Sequence, residues 1–414
     1  MDKALLVGLN LSKNQNEAVN SLTELKGLAE ALNIAVVDIV MQNTSSPTAK
    51  YYIGSGKVAE IKMMIDTLDI DIVIFDDTLS PAQLKNLEKA LDIQIIDRSF
   101  LILSIFAERA QTKEAVLEVS LAQKSYLLPR LVGMGKSLSR QGGGTYNAKG
   151  PGETKLELDR RRLLKDISRI KLEIAKIEKE RHLTRQKRIR NEIPVVALVG
   201  YTNAGKSSLM NSLSLELDQT EPVIEKDMLF TTLGTKAKWL KKDNYPPFIL
   251  IDTVGFISKL PHELVRSFES TLSDVTNADL LLHVVDGADF NQLHIETTKN
   301  VLDQIGAREI ERLLVLTKKE IAKETPRLFE DYLFVSNRTK ESIPELVNAI
   351  YTNIFRDTNI YSLHIPFDRG NIFSILKENY SVFDVQYLDN GIHLRAILTD
   401  QQRDRYRMYI KTAQ

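Results

Sequence analysis

The chain has 414 residues and carries 55 Lys and Arg against 55 Asp and Glu, so its formal net charge is zero. The lack of cysteine excludes disulfides and thiolate metal sites, and six scattered histidines disfavour a zinc site. No apolar run is long enough for a transmembrane helix and the N-terminal apolar stretch is too short for a signal peptide, so we expect a soluble, cytoplasmic protein of two to four domains.

The first 111 residues alternate short apolar runs with amphipathic ones. We predict strands at 4–9, 34–40, 72–75 and 93–96, and helices at 17–32, 57–68, 81–91 and 99–110. This alternation predicts a small parallel sheet covered by helices. Asp76, Asp77, Asp97 and Arg98 follow predicted strands, where such sheets gather ligands, although acids that cap the next helix explain the pattern equally well.

Residues 112–193 are predicted to form a helical hairpin. Apolar residues recur at helical spacing from Ala115 to Tyr126 and from Leu163 to Ile177, which predicts an antiparallel coiled coil. The connection 129–151 contains six glycines, four basic residues and no acid. A flexible cationic loop suits a phosphate-rich surface, and a mobile linker is the alternative. The predicted RNA contacts in this loop are Arg130, Lys136, Arg140 and Lys149.

The second helix of this hairpin has an excess of positive charge. Between Arg160 and Arg190 there are 13 Lys and Arg against four acids. Solvated coiled coils mix both signs, so this excess in a chain of zero net charge indicates a nucleic-acid partner. We predict contacts from Arg160, Arg161 and Arg162, with recognition of the backbone and shape of folded RNA rather than of its sequence.

Residues 194–355 are predicted to form a nucleotide-binding domain. The apolar run Val195 to Val199 precedes Gly200, Gly205, Lys206 and Ser207, which fit G-x-x-x-x-G-K-[ST] between a strand and a helix. Backbone N–H groups would cradle the phosphates, the Lys206 ammonium would reach the β- and γ-phosphates, and the Ser207 hydroxyl would bind Mg²⁺. The predicted phosphate-binding residues are Gly200, Tyr201, Thr202, Asn203, Ala204, Gly205, Lys206, Ser207 and Ser208.

Two further segments complete the predicted phosphate site. A strand at 248–251 delivers Asp252 and Gly255 in a D-x-x-G turn, whose acid holds Mg²⁺ through water and whose glycine amide meets the γ-phosphate. Upstream, Thr232 is the predicted second Mg²⁺ hydroxyl, with Thr231 as the alternative. The predicted catalytic residues are Lys206, Thr232, Asp252 and Gly255, and the other nucleotide contacts of these segments are Phe230, Thr231, Leu233, Gly234, Thr253 and Val254.

Base recognition is predicted at the ends of two later strands. The usual guanine reader is N-K-x-D, but here Thr317 replaces the Asn and Glu320 replaces the Asp, while Lys318 and Ser336 are in place. A carboxylate one methylene longer keeps its guanine contact only if the loop shifts, so the sequence weakens guanine preference and leaves ATP use open. The predicted base pocket consists of Thr317, Lys318, Lys319, Glu320, Ser336, Asn337 and Arg338.

Residues 356–414 are predicted to form a small C-terminal α+β domain that serves as an interaction element. Strands are predicted at 362–366, 382–387 and 393–398, and a helix at 371–377. The whole chain is therefore predicted to be a multidomain α/β protein. It combines an N-terminal parallel α/β domain (1–111), a helical hairpin (112–193), a central P-loop domain (194–355) and this tail.

The sequence also contains a set of distinctive stretches: YYIGSGKVAEI, IFAERA, LAQKSYLLPRL, LSRQGGG, GPGETKLELDRRR, GYTNAGKSSL, LFTTL, DTVGFISKLPHELVRSFESTL and IPFDRGN. With them the chain resembles the HflX family of translational GTPases, and the resemblance covers nearly the whole chain. It implies a GTPase that requires Mg²⁺, binds the 50S subunit or the 70S ribosome, and splits stalled ribosomes under stress. A ribosome-assembly or RNA-modification GTPase acting on immature subunits or tRNA is the alternative, and we expect a monomer.

The residue after the D-x-x-G glycine predicts slow intrinsic hydrolysis. Many GTPases place there a glutamine that orients the attacking water, but this chain has Phe256. The missing polarity is predicted to come from the ribosome, or from K⁺ held beside the phosphates by Asn203. A bracing role for Asn203 is the alternative, and His262 is a conceivable water orienter that is more simply explained as a solvent-exposed histidine.

Overall fold

The structure is a computed structural model. It describes residues 2–11, 15–131, 151–190, 193–218, 236–242, 245–259, 272 and 274–411. The chain divides into two compact units. The first runs from the N-terminus to Lys179 and also includes Ser258 and Lys259, whereas the second holds the other described residues from Glu180 onward.

The first unit contains a four-stranded sheet of order β2-β1-β3-β4. All three strand pairings are parallel, which requires a crossover helix between successive strands. The predicted parallel α/β fold is confirmed, with element ends that differ from the predicted ones by a few residues. The elements are β1 (Lys3–Asn10), α1 (Gln15–Ala31), β2 (Ala35–Asn43), α2 (Ser55–Leu68), β3 (Ile72–Phe75), α3 (Pro81–Leu91), β4 (Gln94–Asp97) and α4 (Arg98–Arg109).

Charged residues at the carboxyl ends of β3 and β4 bond mainly to one another. The Arg98 guanidinium is buried, donates to Asp76 Oδ1 at 2.6 Å and also pairs with Glu24. The Lys259 ammonium, in the same unit, pairs with Asp76 and lies 2.9 Å from Asp77 Oδ1. The charges at this edge are thus compensated from within the protein.

Asp97 is the N-cap of α4, which is one of the two roles that the sequence left open for it. Its Oδ1 accepts a hydrogen bond from Phe100 N at 2.9 Å, at the start of α4, and its Oδ2 accepts from Leu79 N at 2.9 Å. The first bond satisfies a donor at the N-terminus of α4 that has no partner inside the helix, and the second holds the loop before α3. For this acid the capping explanation is the one that the structure supports.

Two long helices follow, α5 (Lys113–Leu127) and α6 (Pro151–Arg190). The predicted apolar seams are buried at Ala115, Val119, Ala122 and Tyr126 on α5 and at Ile167, Ile170 and Ile174 on α6. An ion pair of 3.0 Å joins Lys124 to Asp166, one residue from each helix. The 3.6-residue period therefore identified the inward faces of both helices correctly.

Arg130 belongs to the core of this unit, and its prediction as a surface RNA contact was wrong. Its side chain is 7% exposed and donates to the backbone carbonyls of Tyr126 and Leu79, at 2.8 Å each. The guanidinium also stacks on the Tyr126 ring and lies 3.6 Å from Asp97. The chain continues from α5 into a 3₁₀ turn at Leu128–Arg130, so this arginine belongs to the helix end rather than to the loop. Lys136, Arg140 and Lys149 lie outside the described residues.

The second unit contains a six-stranded sheet of order β10-β9-β8-β5-β7-β6, in which only the β6 pairing is antiparallel among the described strands. Its central strands are buried on both faces, as their continuous apolar runs predict. The elements are β5 (Val195–Gly200), α7 (Lys206–Asp218), β6 (Lys236–Leu240), β7 (Phe248–Asp252), β8 (Leu280–Asp286), α8 (Gln292–Gln304), β9 (Arg312–Thr317), β10 (Tyr332–Phe334) and α9 (Ile343–Ile354).

The same unit ends in a small antiparallel sheet of order β11-β13-β12 with two helices. Its core includes Leu363, Ile365, Leu394 and Leu398, so the predicted α+β composition of the tail is confirmed. The elements are β11 (Thr358–Ile365), α10 (Gly370–Asn379), β12 (Ser381–Leu388), β13 (Gly391–Thr399) and α11 (Asp400–Arg405), with 3₁₀ turns at Phe367–Arg369 and Arg407–Tyr409.

Candidate nucleotide-binding site

The glycine loop lies between β5 and α7, as its sequence pattern requires. Gly200 has a φ of +151° and Gly205 a φ of +86°. A Cβ atom on Gly200 would lie 2.1 Å from the Val284 carbonyl oxygen, so no other residue fits there. Helix α7 starts at Lys206, which directs the N–H groups and the positive end of the helix dipole at the loop.

Backbone carbonyls of the loop hold the Lys206 ammonium in place. Its Nζ donates to the carbonyl oxygens of Tyr201 at 2.7 Å and of Gly200 at 3.0 Å. Burial lowers the pKa of Lys206 to about 8, and the Asp252 carboxylate partly opposes that effect. Phosphate oxygens would be stronger partners for this cation than neutral carbonyls, because hydrogen bonds between charged groups are stronger.

Ser207, in the first turn of α7, lies beside Asp252 at the end of β7. The Ser207 hydroxyl donates to Asp252 Oδ2 at 2.7 Å, and Asp252 is fully buried opposite Leu198 in the parallel register. A hydroxyl and a carboxylate are hard oxygen ligands, and Mg²⁺ is commonly held by one or two such groups together with phosphates and water. These residues therefore fit a magnesium site. The segment with Phe230, Thr231, Thr232, Leu233 and Gly234 lies outside the described residues.

The D-x-x-G turn is hydrogen bonded to the glycine loop. Thr202 N donates to the Phe256 carbonyl at 2.8 Å, and Phe256 N donates to the Gly200 carbonyl at 3.0 Å. A Cβ atom on Gly255 would lie 2.8 Å from Thr202 Cα, so the close approach requires glycine. Thr253, Val254 and the Phe256 side chain are buried. The Phe256 ring is thus part of the core and offers no group that could orient water.

Asn203 and Ser208 occupy different environments on the glycine loop and the following helix. Asn203 is exposed and has a φ of +59°, a conformation that asparagine tolerates better than most residues. Ser208 is half-buried in the first turn of α7. His262, the other residue considered for hydrolysis, lies outside the described residues.

Thr317 ties the loop after β9 to the glycine loop. Its hydroxyl is fully buried and donates to the Ala204 carbonyl at 2.7 Å. Asn337 Nδ2 donates to the Gly205 carbonyl at 3.4 Å, so two predicted base-pocket residues bond to adjacent residues of the glycine loop. A threonine at the usual asparagine position therefore still braces the pocket, with its only proton directed mainly at the Ala204 carbonyl and the Val285 carbonyl at 3.3 Å as a second acceptor.

The remaining predicted base-pocket residues differ in their partners and exposure. Lys318 Nζ lies 2.6 Å from Asp286 Oδ2, and Lys319 pairs with Glu341. Glu320 is exposed in the 3₁₀ turn Lys319–Ile321, and no hydrogen bond or ion pair engages its carboxylate within the described part of the chain. Ser336 is buried and accepts from Thr339 N at 2.9 Å, whereas Arg338 is exposed.

Asp286 is the residue of this site that sequence reasoning missed. It follows the apolar run of β8, and an acid directly after a buried strand of a nucleotide-binding sheet was a usable signal. The carboxylate contacts the base-pocket lysine only because β8 and β9 are neighbours, with Asp286 opposite Thr317.

The basic residues on α6 remain at the surface. Arg160, Arg161 and Arg162 have side chains that are 57%, 72% and 80% exposed. Their pairs with Glu157 and Asp159 lie on the helix surface, where such pairs contribute little free energy. A polyanion could therefore replace these carboxylates at small cost.

Within the described ranges, no helix is both long and apolar enough to span a bilayer. They also contain no group of three or more His, Cys, Asp and Glu residues placed to hold a metal ion.

Three family models match successive parts of the sequence. A model described as "GTP-binding GTPase N-terminal" matches residues 19–107, and one described as "GTP-binding GTPase Middle Region" matches residues 109–188. A third, described as "50S ribosome-binding GTPase", matches residues 195–318, which contain the glycine loop and the D-x-x-G turn.

Curated relatives match over nearly the whole chain. The GTPase HflX of Caldanaerobacter subterraneus subsp. tengcongensis is 41% identical over 99% of this chain and 94% of its own length. The GTPase HflX of Escherichia coli K12 is 38% identical over 90% of this chain and 88% of its own. Among solved structures, a GTP-binding protein from the archaeon Sulfolobus solfataricus in complex with GDP is 26% identical, covers 86% of this chain and 99% of its own, and has a TM-score of 0.41.

Proposed function

The chain belongs to the HflX family of GTPases, and from this premise we propose that it binds the large ribosomal subunit or the 70S ribosome and couples GTP hydrolysis to separating stalled ribosomes into subunits. P-loop GTPases generally use Mg²⁺, and this one carries the ribosome-binding type of GTPase domain. The splitting step, the monomeric state and a role of K⁺ are parts of the proposal.

One observation carries the proposal: a preformed phosphate cradle and an exposed cationic helix occur in the same chain. The cradle is built from the glycine loop, the Lys206 ammonium and the Ser207–Asp252 pair. The helix presents Arg160 to Arg162 to solvent. A nucleotide switch that acts on a polyanion needs both features.

In this proposal the nucleotide replaces contacts that the cradle now makes with itself. Lys206 exchanges its two carbonyl partners for β- and γ-phosphate oxygens, and the Gly255 amide meets the γ-phosphate. Ser207 and Thr232 would hold Mg²⁺, with Asp252 acting through water. The ion would neutralise charge on the phosphates.

Hydrolysis by the isolated protein is proposed to be slow. Phe256 cannot orient the attacking water, because its side chain is apolar and buried in the core. We expect the ribosome to supply the missing order, or K⁺ held beside the phosphates with help from Asn203. Either source would add polar groups at the place where other GTPases use a glutamine.

The test compares nucleotide states on ribosomes. Pelleting with purified 50S subunits should recover more protein with a non-hydrolysable GTP analogue than with GDP, and equal recovery would reject the switch. Sucrose gradients of mature 70S particles incubated with protein and GTP should show free subunits. Intact 70S particles together with binding confined to immature subunits would instead support an assembly GTPase.

A further inference from the structure

The end of β8 is fixed against the end of β9 beside the base pocket. Asp286 lies opposite Thr317 in the parallel register, and Gly287 N donates to the Thr317 carbonyl at 3.0 Å. A Cβ atom on Gly287 would lie 2.5 Å from the Phe334 ring, so the chain can turn this closely only at glycine. The Asp286 carboxylate is therefore presented from a rigid support.

Both oxygens of the Asp286 carboxylate are used. Oδ1 accepts hydrogen bonds from Ala288 N at 3.0 Å and Asp289 N at 3.2 Å, which closes the turn after β8. Oδ2 accepts from Lys318 Nζ at 2.6 Å. The two side chains are 15% and 25% exposed, so this ion pair is screened less than a surface pair.

Lys318 needs an ion-pair partner such as Asp286 because its side chain could otherwise turn to another acid nearby. Its φ of +60° is rare for lysine, and its flexible stem can direct the ammonium to any nearby acid. Glu320 is two residues away and carries the carboxylate expected to read the base. A Lys318–Glu320 pair would neutralise that carboxylate and remove the stem from the pocket.

We propose that Asp286 is a positioning residue of the nucleotide site, which holds Lys318 along the base and keeps the Glu320 carboxylate available to the guanine edge. The inference rests on the proposed nucleotide function of this site. It assigns base selectivity to a pair of acids on two neighbouring strand ends: one fixes the lysine, and the other reads the ligand.

Three variants distinguish the loss of the Asp286–Lys318 ion pair from the loss of the backbone hydrogen bonds that close the turn after β8. Asp286→Asn keeps an oxygen for the Ala288 and Asp289 amides but loses the charge that holds Lys318. Asp286→Ala loses both interactions. Asp289→Asn is the matched control, because it changes an exposed acid of the same turn whose backbone alone takes part.

The first measurement is the dissociation constant of GDP and of IDP, which lacks the guanine 2-amino group. Asp286→Asn should weaken GDP binding about tenfold. It should weaken IDP binding less, so that the preference for GDP over IDP falls. In steady-state hydrolysis the effect should appear in KM rather than in kcat, and the control should match the wild type. Unchanged GDP affinity, or an equal loss for both nucleotides, would overturn the inference.

A second measurement tests whether Asp286 acts through Lys318. In a Lys318→Met background, Asp286→Asn should have no further effect on GDP affinity, whereas additive losses would contradict a positioning role. Thermal melting of each variant checks that the fold is kept. If the wild-type protein fails to bind GDP, the nucleotide proposal itself falls and this inference with it. A wild type that binds GDP beside an indifferent Asp286→Asn variant overturns the inference alone.

Discussion

The two parallel sheets of this chain place charged residues at the same topological position and use them differently. At the carboxyl edge of the first sheet, Arg98, Asp76 and Lys259 compensate one another. At the carboxyl edge of the second, Lys206 is held by neutral carbonyls and no described contact engages the Glu320 carboxylate. Position at a strand end therefore does not identify a site. Both edges contain ion pairs, such as Lys318–Asp286 in the second, but the second edge also presents the Lys206 ammonium on neutral carbonyls and an exposed Glu320 carboxylate.

Burial makes the same contrast visible in the ionisation of single groups. In the first sheet, burial raises the pKa of Asp97, although bonds from Phe100 and Leu79 and the Arg130 guanidinium oppose it. In the second, burial lowers the pKa of Lys206 to about 8. For Asp97, the effect of burial on the pKa is opposed by neighbouring groups of the same unit that cap a helix or pack in its core. For Lys206, an anion bound beside the ammonium would raise the pKa back towards its usual value.

The largest effect is expected at the cradle lysine. Lys206→Ala should lower GTP turnover by about 100-fold or more, because one positioned cation on the transferred phosphate contributes several kcal/mol to the transition state. Lys323→Ala, at an exposed position of the same unit, is the control and should behave like the wild type. If Lys206→Ala turned over GTP at the wild-type rate, Lys206 would have no role in hydrolysis and would serve only the structure, like the charged residues of the first sheet.

The corrected arginine should behave as a core residue. Arg130→Ala should destabilise the first unit by about 3 kcal/mol, because it leaves two carbonyls without their buried donor and the buried Asp97 without its ion-pair partner. Arg161→Ala, at an exposed helix position, should change stability by less than about 0.5 kcal/mol. Denaturant melts of both variants, followed by far-UV circular dichroism, decide the point. Equal stability of the two variants would contradict a core role for Arg130 and favour a surface position.

A smaller effect is expected where the base loop meets the glycine loop. Thr317→Val removes the hydroxyl donor to the Ala204 carbonyl, and an unsatisfied buried carbonyl costs about 1–2 kcal/mol. GDP affinity should fall roughly tenfold as the bracing is lost. Thr317→Ser keeps the hydroxyl and should bind GDP nearly as well as the wild type. A serine variant as weak as the valine variant would show that the methyl group matters instead.

The last effect is negligible at neutral pH and concerns the acid stability of the second sheet. Burial, followed by Arg312, Lys299 and Lys206, lowers the pKa of His283 to about 3, whereas an unfolded histidine titrates near about 6.5. The folded state therefore binds fewer protons, and stability present above pH 6.5 is lost as the pH falls towards 3, by about 1.4 kcal/mol per pH unit. His283→Leu should flatten this loss in thermal melts between pH 7 and 5. A parallel decline in both proteins would contradict it.

Local pattern predicted the four strands of the first sheet, four strands of the second (β5, β7, β9 and β10) and the glycine loop, because hydrophobic period and glycine spacing are properties of neighbouring residues. It did not predict β6 and β8. The contacts of Asp286 and Arg130 depend instead on which strands and helices become neighbours. Asp286 reaches Lys318 across 32 positions of sequence, and Arg130 reaches Leu79 across 51. The sequence also placed Thr317 in the pocket but could not show that its hydroxyl bonds to the Ala204 carbonyl.

The central claim is that a guanine-nucleotide site on the second sheet is controlled by RNA bound to the basic helix. The most direct measurement is GTP turnover with and without 50S subunits, for the wild type and for a variant in which Arg160, Arg161 and Arg162 are all changed to Glu. We expect the subunits to stimulate the wild type at least about tenfold and to leave the variant at its unchanged intrinsic rate. Equal stimulation of the two proteins would contradict the account.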